Sequence, residues 1–358
     1  MKIKITHLIT ALFLLCSAYS WGQTWQLTPT MTAVLNNGVL TISTTKSAEA
    51  MPDYNAYDVH DAPWFSVGSS ILSVVIRDSV TSVGNYAFAA YPSIKSVTIG
   101  NSVTTIGERS FHACSGITSV TLGSSVTTLG LYAFYTCSGL TSITLPNSVT
   151  TIAQGAFNGC TGLVSITMPN SVTTIGADAF AYCSSLASIT LPNSVTIIRQ
   201  GAFYYCTSLA SVTIPNSVTS IEEAAFKDCR NLKDVTVSWN TPLPVLTNTF
   251  ENVTTSAVNL HVPAGTEALY KAAPVWKEFK IAGTVGTEGV KTSSLKAWAT
   301  NGNLYVSGLH AGESLRVFNV TGQLIHKSVA SDTEQQISLR NRGIYIIVAR
   351  QRCIKAIY

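Results

Sequence analysis

The stretch LTSITLPNSVTTIAQGAF, residues 140–157, is repeated almost unchanged along much of this chain, and Cys160 follows it. The copy before it reads ITSVTLGSSVTTLGLYAF (residues 117–134), and the copy after it reads LVSITMPNSVTTIGADAF (residues 163–180). A fixed period of this size is typical of a solenoid, in which successive repeats stack as coils. The final phenylalanine of the motif recurs every 23 residues at Phe88, Phe111, Phe134, Phe157, Phe180, Phe203 and Phe226, and one residue late at Phe250.

The apolar positions of one repeat predict its local structure. Ile143 and Leu145 alternate with Thr144, which predicts a short strand with one buried face. Pro146 cannot donate to a ladder and predicts a turn, after which a second strand is expected around Ile152. The Ala-Phe-x-x-Cys segment has the apolar spacing of one helical turn. Because one coil cannot bury its apolar face alone, we predict a mainly β solenoid of stacked coils, each with short strands and one helical turn.

Six of the eight cysteines recur in the same register as the phenylalanines. Neighbouring members of this column would lie about 5 Å apart, within reach of a disulfide, but their side chains would all point the same way. The chain has no local CxxC pair of the kind that zinc sites use. We therefore interpret the column as small buried hydrophobic side chains and leave its redox state open. Its members are Cys114, Cys137, Cys160, Cys183, Cys206 and Cys229.

Residues 1–20 have the features of a signal peptide. Two lysines precede a short apolar run, and small residues precede a predicted cleavage site after Ser20. The run is too short to span a membrane, and no other stretch predicts a transmembrane segment. A lipoprotein signal at Cys16 is a less favoured alternative, because leucine before the cysteine fits that signal poorly. The sequence therefore predicts export.

Composition predicts how the rest of the chain is divided. An open solenoid end would expose apolar side chains, so a cap is expected on each side of the repeats. After a small-residue linker the 23-residue period disappears, and short strands between glycine-containing turns predict a compact antiparallel β-sandwich. The predicted segments are an N-terminal cap at 21–70, the solenoid at 71–250, a C-terminal cap at 251–283, a linker at 284–294 and the sandwich at 295–358.

The densest polar cluster is in the N-terminal cap, at Asp53, Asp58, His60 and Asp61. One interpretation is a cation site, and the other is a solvated loop. The spacing does not match that of an EF-hand, and we favour the solvated loop. We expect neither a metal nor another cofactor.

Charge and motifs exclude several classes of function. The formal net charge is +4, or +2 without residues 1–20, and no basic stripe suited to nucleic acid is present. None of the six histidines has a serine or cysteine nucleophile as a local partner, and the GxSxG, HExxH and phosphate-loop motifs are missing from the sequence. We predict that the protein is not an enzyme. A hydrolase assembled from distant residues is the weakest alternative.

The positions beside the repeated phenylalanine vary from coil to coil, and several carry tyrosine. Exposed tyrosine is favoured at protein interfaces because it combines a large area with a polar tip. The alternative is that these rings only pack over the joints between coils. The candidate partner-binding residues are Tyr86, Tyr132, Tyr135, Tyr182, Tyr204 and Tyr205.

The repeat unit L-x-x-I-x-L-P-N-S-V-T-x-I-x-x-x-A-F-x-x-C resembles the BspA-like leucine-rich-repeat family over roughly residues 70–283. This resemblance implies a fold of the leucine-rich-repeat type and a secreted or surface-displayed protein that binds another protein. Family members are associated with adhesion to host matrix proteins and to other bacteria. A structural spacer without a specific ligand remains the alternative function.

Residues 295–358 resemble the C-terminal sorting domain of the type IX secretion system of Bacteroidetes. The resemblance depends on the VFNVTGQ run at 317–323, the RGIY run at 342–345 and a lysine near the end. It implies recognition by the type IX machinery, export across the outer membrane, and release or attachment at the cell surface. The implied sorting-signal residues are Gly322, Gly343, Ile344, Tyr345 and Lys355.

Overall fold

The structure is a computed structural model, and the chain divides into two compact units, Met1–Gly283 and Thr284–Tyr358. The predicted signal peptide with Ser20 and the predicted linker at 284–294 lie outside the residues that the structure describes. No helix among the described residues is long and apolar enough to cross a membrane. The described residues are 22–55, 61–282, 295–300, 303–309, 312–319, 323–339, 343–349 and 352–357.

The first unit begins with three antiparallel strands, β1 (Gln23–Gln26), β2 (Met31–Asn36) and β3 (Val39–Thr44). A two-residue turn joins β2 to β3, and both Asn37 and Gly38 have positive φ angles, 48° and 79°. Asn-Gly is the preferred pair for such a hairpin, because both residues tolerate positive φ. A further strand, β4 (Glu49–Ala50), and a 3-10 helix, Phe65–Ser70, precede the repeats.

Each coil then contributes two short parallel strands to two different sheets. Equivalent residues of successive coils lie opposite each other, as Ile152 does Ile175, because the repeat length is constant. The strands are β5 (Ser73–Ile76), β6 (Val80–Val83), β7 (Ser96–Ile99), β8 (Thr105–Ile106), β9 (Ser119–Thr121), β10 (Thr128–Leu129), β11 (Ser142–Thr144), β12 (Thr151–Ile152), β13 (Ser165–Thr167), β14 (Thr174–Ile175), β15 (Ser188–Thr190), β16 (Ile197–Ile198), β17 (Ser211–Ile214), β18 (Ser220–Ile221), β19 (Asp234–Val237), β20 (Asn259–His261) and β21 (Lys280–Ile281).

The two sheets differ in continuity. The even-numbered strands from β4 to β18 form one uninterrupted eight-stranded sheet. The other side consists of β1-β2-β3-β5-β7-β9, then β11-β13, then β15-β17-β19-β20-β21, so strand pairing stops after β9 and again after β13. One backbone bond, Ala187 N to Val164 O at 3.4 Å, still crosses the second step. No backbone hydrogen bond of the described chain joins β9 to β11.

A single file of stacked aromatic rings runs through the core of the first unit, as the repeat predicts. Neighbouring centroids lie 5.2–5.6 Å apart with nearly parallel planes. A fully buried phenylalanine contributes roughly 1.5–3 kcal/mol, so the file is a main source of stability. Nine rings of the described chain form it, one to a coil: Trp64, Phe88, Phe111, Phe134, Phe157, Phe180, Phe203, Phe226 and Phe250.

The segment around each phenylalanine is tighter than an α-helical turn. Its local bonds run from residue i to i−3, as from Ala133 N to Gly130 O at 3.2 Å. Other amides point to the next coil, and Phe134 N donates to Ala156 O at 2.9 Å. From Phe88 to Phe226, the residues two before and two after the phenylalanine have positive φ angles, as at Tyr132, where φ is 55°. The predicted helical turn is therefore a series of tight turns that also bonds adjacent coils.

The cysteine column is buried, and all six of its thiols are free, in agreement with the interpretation as small core side chains. Each Sγ donates to the backbone oxygen of a phenylalanine in the preceding coil. The distance from Cys160 Sγ to Phe134 O is 3.1 Å, and the distances of the other five lie between 2.9 and 3.2 Å. The column therefore adds a repeated bond between coils as well as packing.

The C-terminal end of the file is covered by aromatic side chains. Trp276 is fully buried, and its ring lies edge-on to Phe250 at 5.8 Å. Phe279 meets Phe250 in the same manner at 5.1 Å. The helices of this part of the chain are the 3-10 helices Thr255–Ala257 and Trp276–Glu278 and the α-helix α1, Glu267–Ala272.

The second unit consists of two antiparallel sheets that share one core, as expected of a small sandwich. One sheet has the order β22-β23-β26, and the other has the order β25-β24-β27-β28. Leu304 and Val306 from the first sheet are buried together with Leu315 and Ile347 from the second. The strands are β22 (Lys296–Thr300), β23 (Asn303–Ser307), β24 (Ser314–Asn319), β25 (Leu324–Val329), β26 (Glu334–Ser338), β27 (Ile344–Ala349) and β28 (Arg352–Ile357).

Candidate functional site: the turn wall

The candidate site lies on the side of the solenoid formed by the tight turns. We define the turn wall as the three residues before and the two residues after each phenylalanine of the file. The phenylalanine and the small residue before it are buried, as Ala133 and Phe134 are, whereas the other positions are mostly half-buried or exposed. All six predicted tyrosines belong to this wall. The structure brings them together as two groups.

The first tyrosine group contains Tyr86, Tyr132 and Tyr135. The guanidinium of Arg109 lies 4.8 Å from the centre of the Tyr132 ring and 5.8 Å from that of Tyr86. Arg109 also donates to Tyr86 Oη at 2.6 Å and to Glu108 at 3.0 Å. The Tyr132 and Tyr135 rings meet edge-on at 5.7 Å. A cation between two rings and a network of hydrogen bonds therefore hold this group in place.

The second tyrosine group contains Tyr182, Tyr204 and Tyr205, whose ring centres lie 5.2–6.0 Å apart. A hydrogen bond with Tyr204 is the largest of several influences that raise the pKa of Tyr182. The Arg230 guanidinium lies 5.9 Å from the Tyr205 ring. Tyr182 and Tyr205 are the more open members, with 43% and 37% of their surface exposed. This group is therefore both ordered by its own contacts and accessible.

The coil of Phe157 separates the two groups. At the positions where its neighbours carry tyrosines it has Gly155, Asn158 and Gly159. A Cβ atom at Gly155 would collide with the Tyr132 ring, which extends over it. The tyrosines are therefore partly exposed, but they do not form one uninterrupted stripe.

The structure also has a depression away from the turn wall, between the strands β9 and β11, which do not pair. It has a volume of about 420 Å³ and is lined by residues of both strands. Val120 and Leu122 are only half-buried there, whereas their counterparts Ile143 and Leu145 are 3% exposed. Pro146 lines the same depression. The sequence pattern does not predict this opening.

The polar cluster of the N-terminal cap makes ordinary loop contacts where it is described. Asp53 accepts a hydrogen bond from Asn85 N at 2.8 Å, and Asp61 accepts one from Asn55 N at 3.0 Å. Asp58 and His60 lie outside the described residues. No group of three or more metal-ligating side chains is found in the part of the chain that the structure describes.

Two histidine side chains contact side chains of neighbouring coils. His261 Nε2 lies 3.0 Å from Asp234 Oδ1, and this hydrogen bond is the main reason why the pKa of Asp234 is lowered. His112 stacks on Tyr135 at 5.0 Å, and burial lowers its pKa. Both contacts join neighbouring coils, which is a stabilising arrangement. Nothing in these contacts points to catalysis.

The residues implied as a sorting signal are only partly described. Gly322 lies outside the described residues. Gly343 directly precedes β27, which begins at Ile344. Tyr345 is 5% exposed and pairs with Ala356, and Lys355 lies on β28 opposite Ile346.

Comparisons with known proteins identify relatives of the repeats. The sequence matches the family described as BspA type leucine rich repeat region in six copies, over residues 63–187 and 130–257. The matched residues together span 63–257, more than half of the 358-residue chain. No curated protein sequence matches the chain.

Three solved structures illustrate the similarity. A leucine-rich repeat protein from Bacteroides ovatus is 22% identical, with 68% of this chain and 70% of that chain covered and a TM-score of 0.47. The leucine rich repeat protein of T. pallidum is 25% identical, with 60% and 90% covered and a TM-score of 0.44. A leucine rich cell surface protein from Faecalibacterium prausnitzii is 22% identical, with 73% and 98% covered and a TM-score of 0.35.

Proposed function

We propose that this chain, which belongs to the BspA-type leucine-rich repeat family, is an exported protein that binds a protein partner through its turn wall. The observation that carries the proposal is the pair of ordered, partly exposed tyrosine groups. Tyrosine is enriched among the residues that dominate binding energy at protein interfaces. Rings already held by neighbours lose less conformational entropy when a partner binds.

The partner class that we propose is a host matrix protein or a surface protein of another bacterium, and the site of action is the cell surface or the medium. Membership of the family and the predicted signal peptide at 1–20 support this proposal. The alternative is a structural spacer, which would have no specific partner. The two functions make opposite predictions about binding.

The second unit is proposed to be a type IX sorting domain. The motif order noted above supports this, as does the division of the chain into two compact units. If residues 295–358 are deleted, we expect the protein to stay inside the producing cell, whereas the full chain reaches the surface or the medium. Unchanged export of the truncated chain would contradict the proposal.

The binding proposal is tested with the mature chain, residues 21–358, on a panel of purified matrix proteins and on bacterial surface extracts. The test variant carries Tyr182→Ser, Tyr204→Ser and Tyr205→Ser together. Because this group contains the two most open of the six tyrosines, Tyr182 and Tyr205, we expect at least about tenfold weaker binding of any captured partner.

The matched control carries Thr144→Ala, Thr167→Ala and Thr190→Ala, three exposed positions on the strand side. It should bind as the unchanged protein does, and circular dichroism should show all three proteins folded. Equal binding by the tyrosine variant would exclude the turn wall as the interface. If no partner is captured by any protein, the spacer function is favoured.

A further inference from the structure

The second tyrosine group borders a small cavity of about 220 Å³. Small-molecule sites usually measure about 300–1,000 Å³, so this volume better suits one long side chain. The cavity exists because Gly201 and Ala224 occupy a column that carries Tyr86, Arg109 and Tyr132 in earlier coils. Its lining residues are Asp178, Gln200, Gly201, Tyr204, Ala224 and Lys227.

The carboxylate of Asp178 differs from the other acidic groups of this region. It is half-buried, and none of the described residues forms a hydrogen bond or an ion pair with it. Burial raises its pKa. A carboxylate in such a position is stabilised by a cation from outside.

The neighbouring charges are already paired. Lys227 also lines the cavity, but its ammonium is bound to Glu251 at 2.9 Å. Glu222 accepts from Arg199 at 3.3 Å, and Glu223 accepts from Gln200 at 2.8 Å. Asp178 is therefore the acidic group of this cavity that is left for a ligand.

We propose that the cavity takes a lysine or arginine side chain of the protein partner, with its cation beside Asp178 and its stem against Tyr204. A carboxylate and a tyrosine ring both attract a cation, and the aliphatic stem of a basic side chain packs well on an aromatic ring. The inference depends on the proposed binding function and narrows it to a partner with an exposed basic residue.

The test uses random dodecapeptides displayed on phage and selected on the mature chain. We expect selected peptides to share a lysine or arginine at one position. The same preference should appear with Asp332→Asn, an exposed aspartate of the second unit, and should disappear with Asp178→Asn. Asparagine has the shape of aspartate and tolerates the positive φ of 53° at this position.

Affinities of the best peptide then test the contact directly. Replacing its basic residue by norleucine, or using Asp178→Asn, should each weaken binding about tenfold, and the two changes together should weaken it no further. Lys227→Met removes a positive charge from the cavity and should strengthen binding of the basic peptide a few fold. The norleucine peptide should bind that variant unchanged.

The outcomes separate the two proposals. Selected peptides that lack a shared basic position, or a basic preference that survives Asp178→Asn, would overturn the inference and leave the binding function standing. A selection that enriches no peptide on any of the proteins would count against the binding function itself.

Discussion

The phenylalanine file and the turn wall that covers it are neighbours in sequence, yet they change in opposite ways from coil to coil. At the file, every coil from Phe88 to Phe250 has the same residue, and each ring is almost fully buried. Two residues later, the same coils carry alanine, threonine, glycine, tyrosine, aspartate and asparagine. A ring in the file must fit against a ring on each side, whereas the residue two positions later needs only to tolerate a left-handed backbone.

This difference indicates that the phenylalanine file stabilises the fold, whereas the variable positions of the turn wall are free to differ for binding. Substitutions in the file should therefore change stability, and substitutions in the wall should change binding. Three changes test how sharp this division is.

The largest effect is expected from Phe157→Ala in the middle of the file. It removes a ring stacked on both sides, at 5.6 and 5.5 Å, and leaves a cavity. The free energy of unfolding should fall by about 3–5 kcal/mol. Urea unfolding followed by circular dichroism measures it.

Tyr182→Ala is the matched control from the wall, since it also removes an aromatic ring but one that is 43% exposed. Its effect on the free energy of unfolding should stay below about 1 kcal/mol. Similar losses from the two substitutions would show that the wall carries stability too.

The second effect concerns the cysteine column and alkaline pH. Burial raises the pKa of Cys160 to about 12, whereas an unfolded thiol ionises near pH 8.5. The folded state therefore loses relative stability as the pH rises above about 8.5, until it approaches the folded pKa. Between about pH 7.5 and 9.5, this one thiol should remove about 1.4 kcal/mol from the free energy of unfolding.

The measurement compares urea unfolding of the unchanged protein and of Cys160→Ala at both pH values. The variant lacks the thiol, so its free energy of unfolding should fall by about 1.4 kcal/mol less than that of the unchanged protein. Two equal losses would mean that this thiol ionises in the folded state as easily as in the unfolded state.

The smallest effect is expected from Arg109→Met in the first tyrosine group. This change keeps the stem and removes the cation between Tyr86 and Tyr132, so the free energy of unfolding should fall by about 0.5–1 kcal/mol. Thermal unfolding detects the change, and Arg77→Met, at an exposed arginine outside both tyrosine groups, serves as the control. A loss as large as that of Phe157→Ala would break the division between file and wall.

The stacking of the phenylalanines could be predicted, because identical residues at a constant spacing of 23 occupy the same place in every coil. The periodicity does not predict the ninth ring, since Trp64 differs in type and lies 24 residues before Phe88. The sequence predicts a helical turn where the structure has tight turns, because tyrosine gives no hint of a positive φ. The signal was nevertheless present in Gly155 and Gly201, which occupy the same column in other coils.

The grouping of the tyrosines could not be predicted from the columns. It depends on rings that reach from one coil to the next, as Tyr132 does over Gly155. The opening between β9 and β11 was equally hidden. The missing N–H of Pro146 does not explain it, because Pro169 and Pro215 follow β13 and β17 in the same way and those strands do pair with the preceding coil.

That opening has a mechanical consequence. The sheet that contains β4 to β18 is continuous along the solenoid, whereas the opposite side is interrupted between β9 and β11. We expect the solenoid to bend more easily at such an interruption. This interruption lies between the coil of Tyr135 and the coil of Phe157, and one tyrosine group lies on each side of it. If the solenoid bends there, the distance between the two tyrosine groups changes with it, and a ligand that contacts both groups would favour one degree of bending.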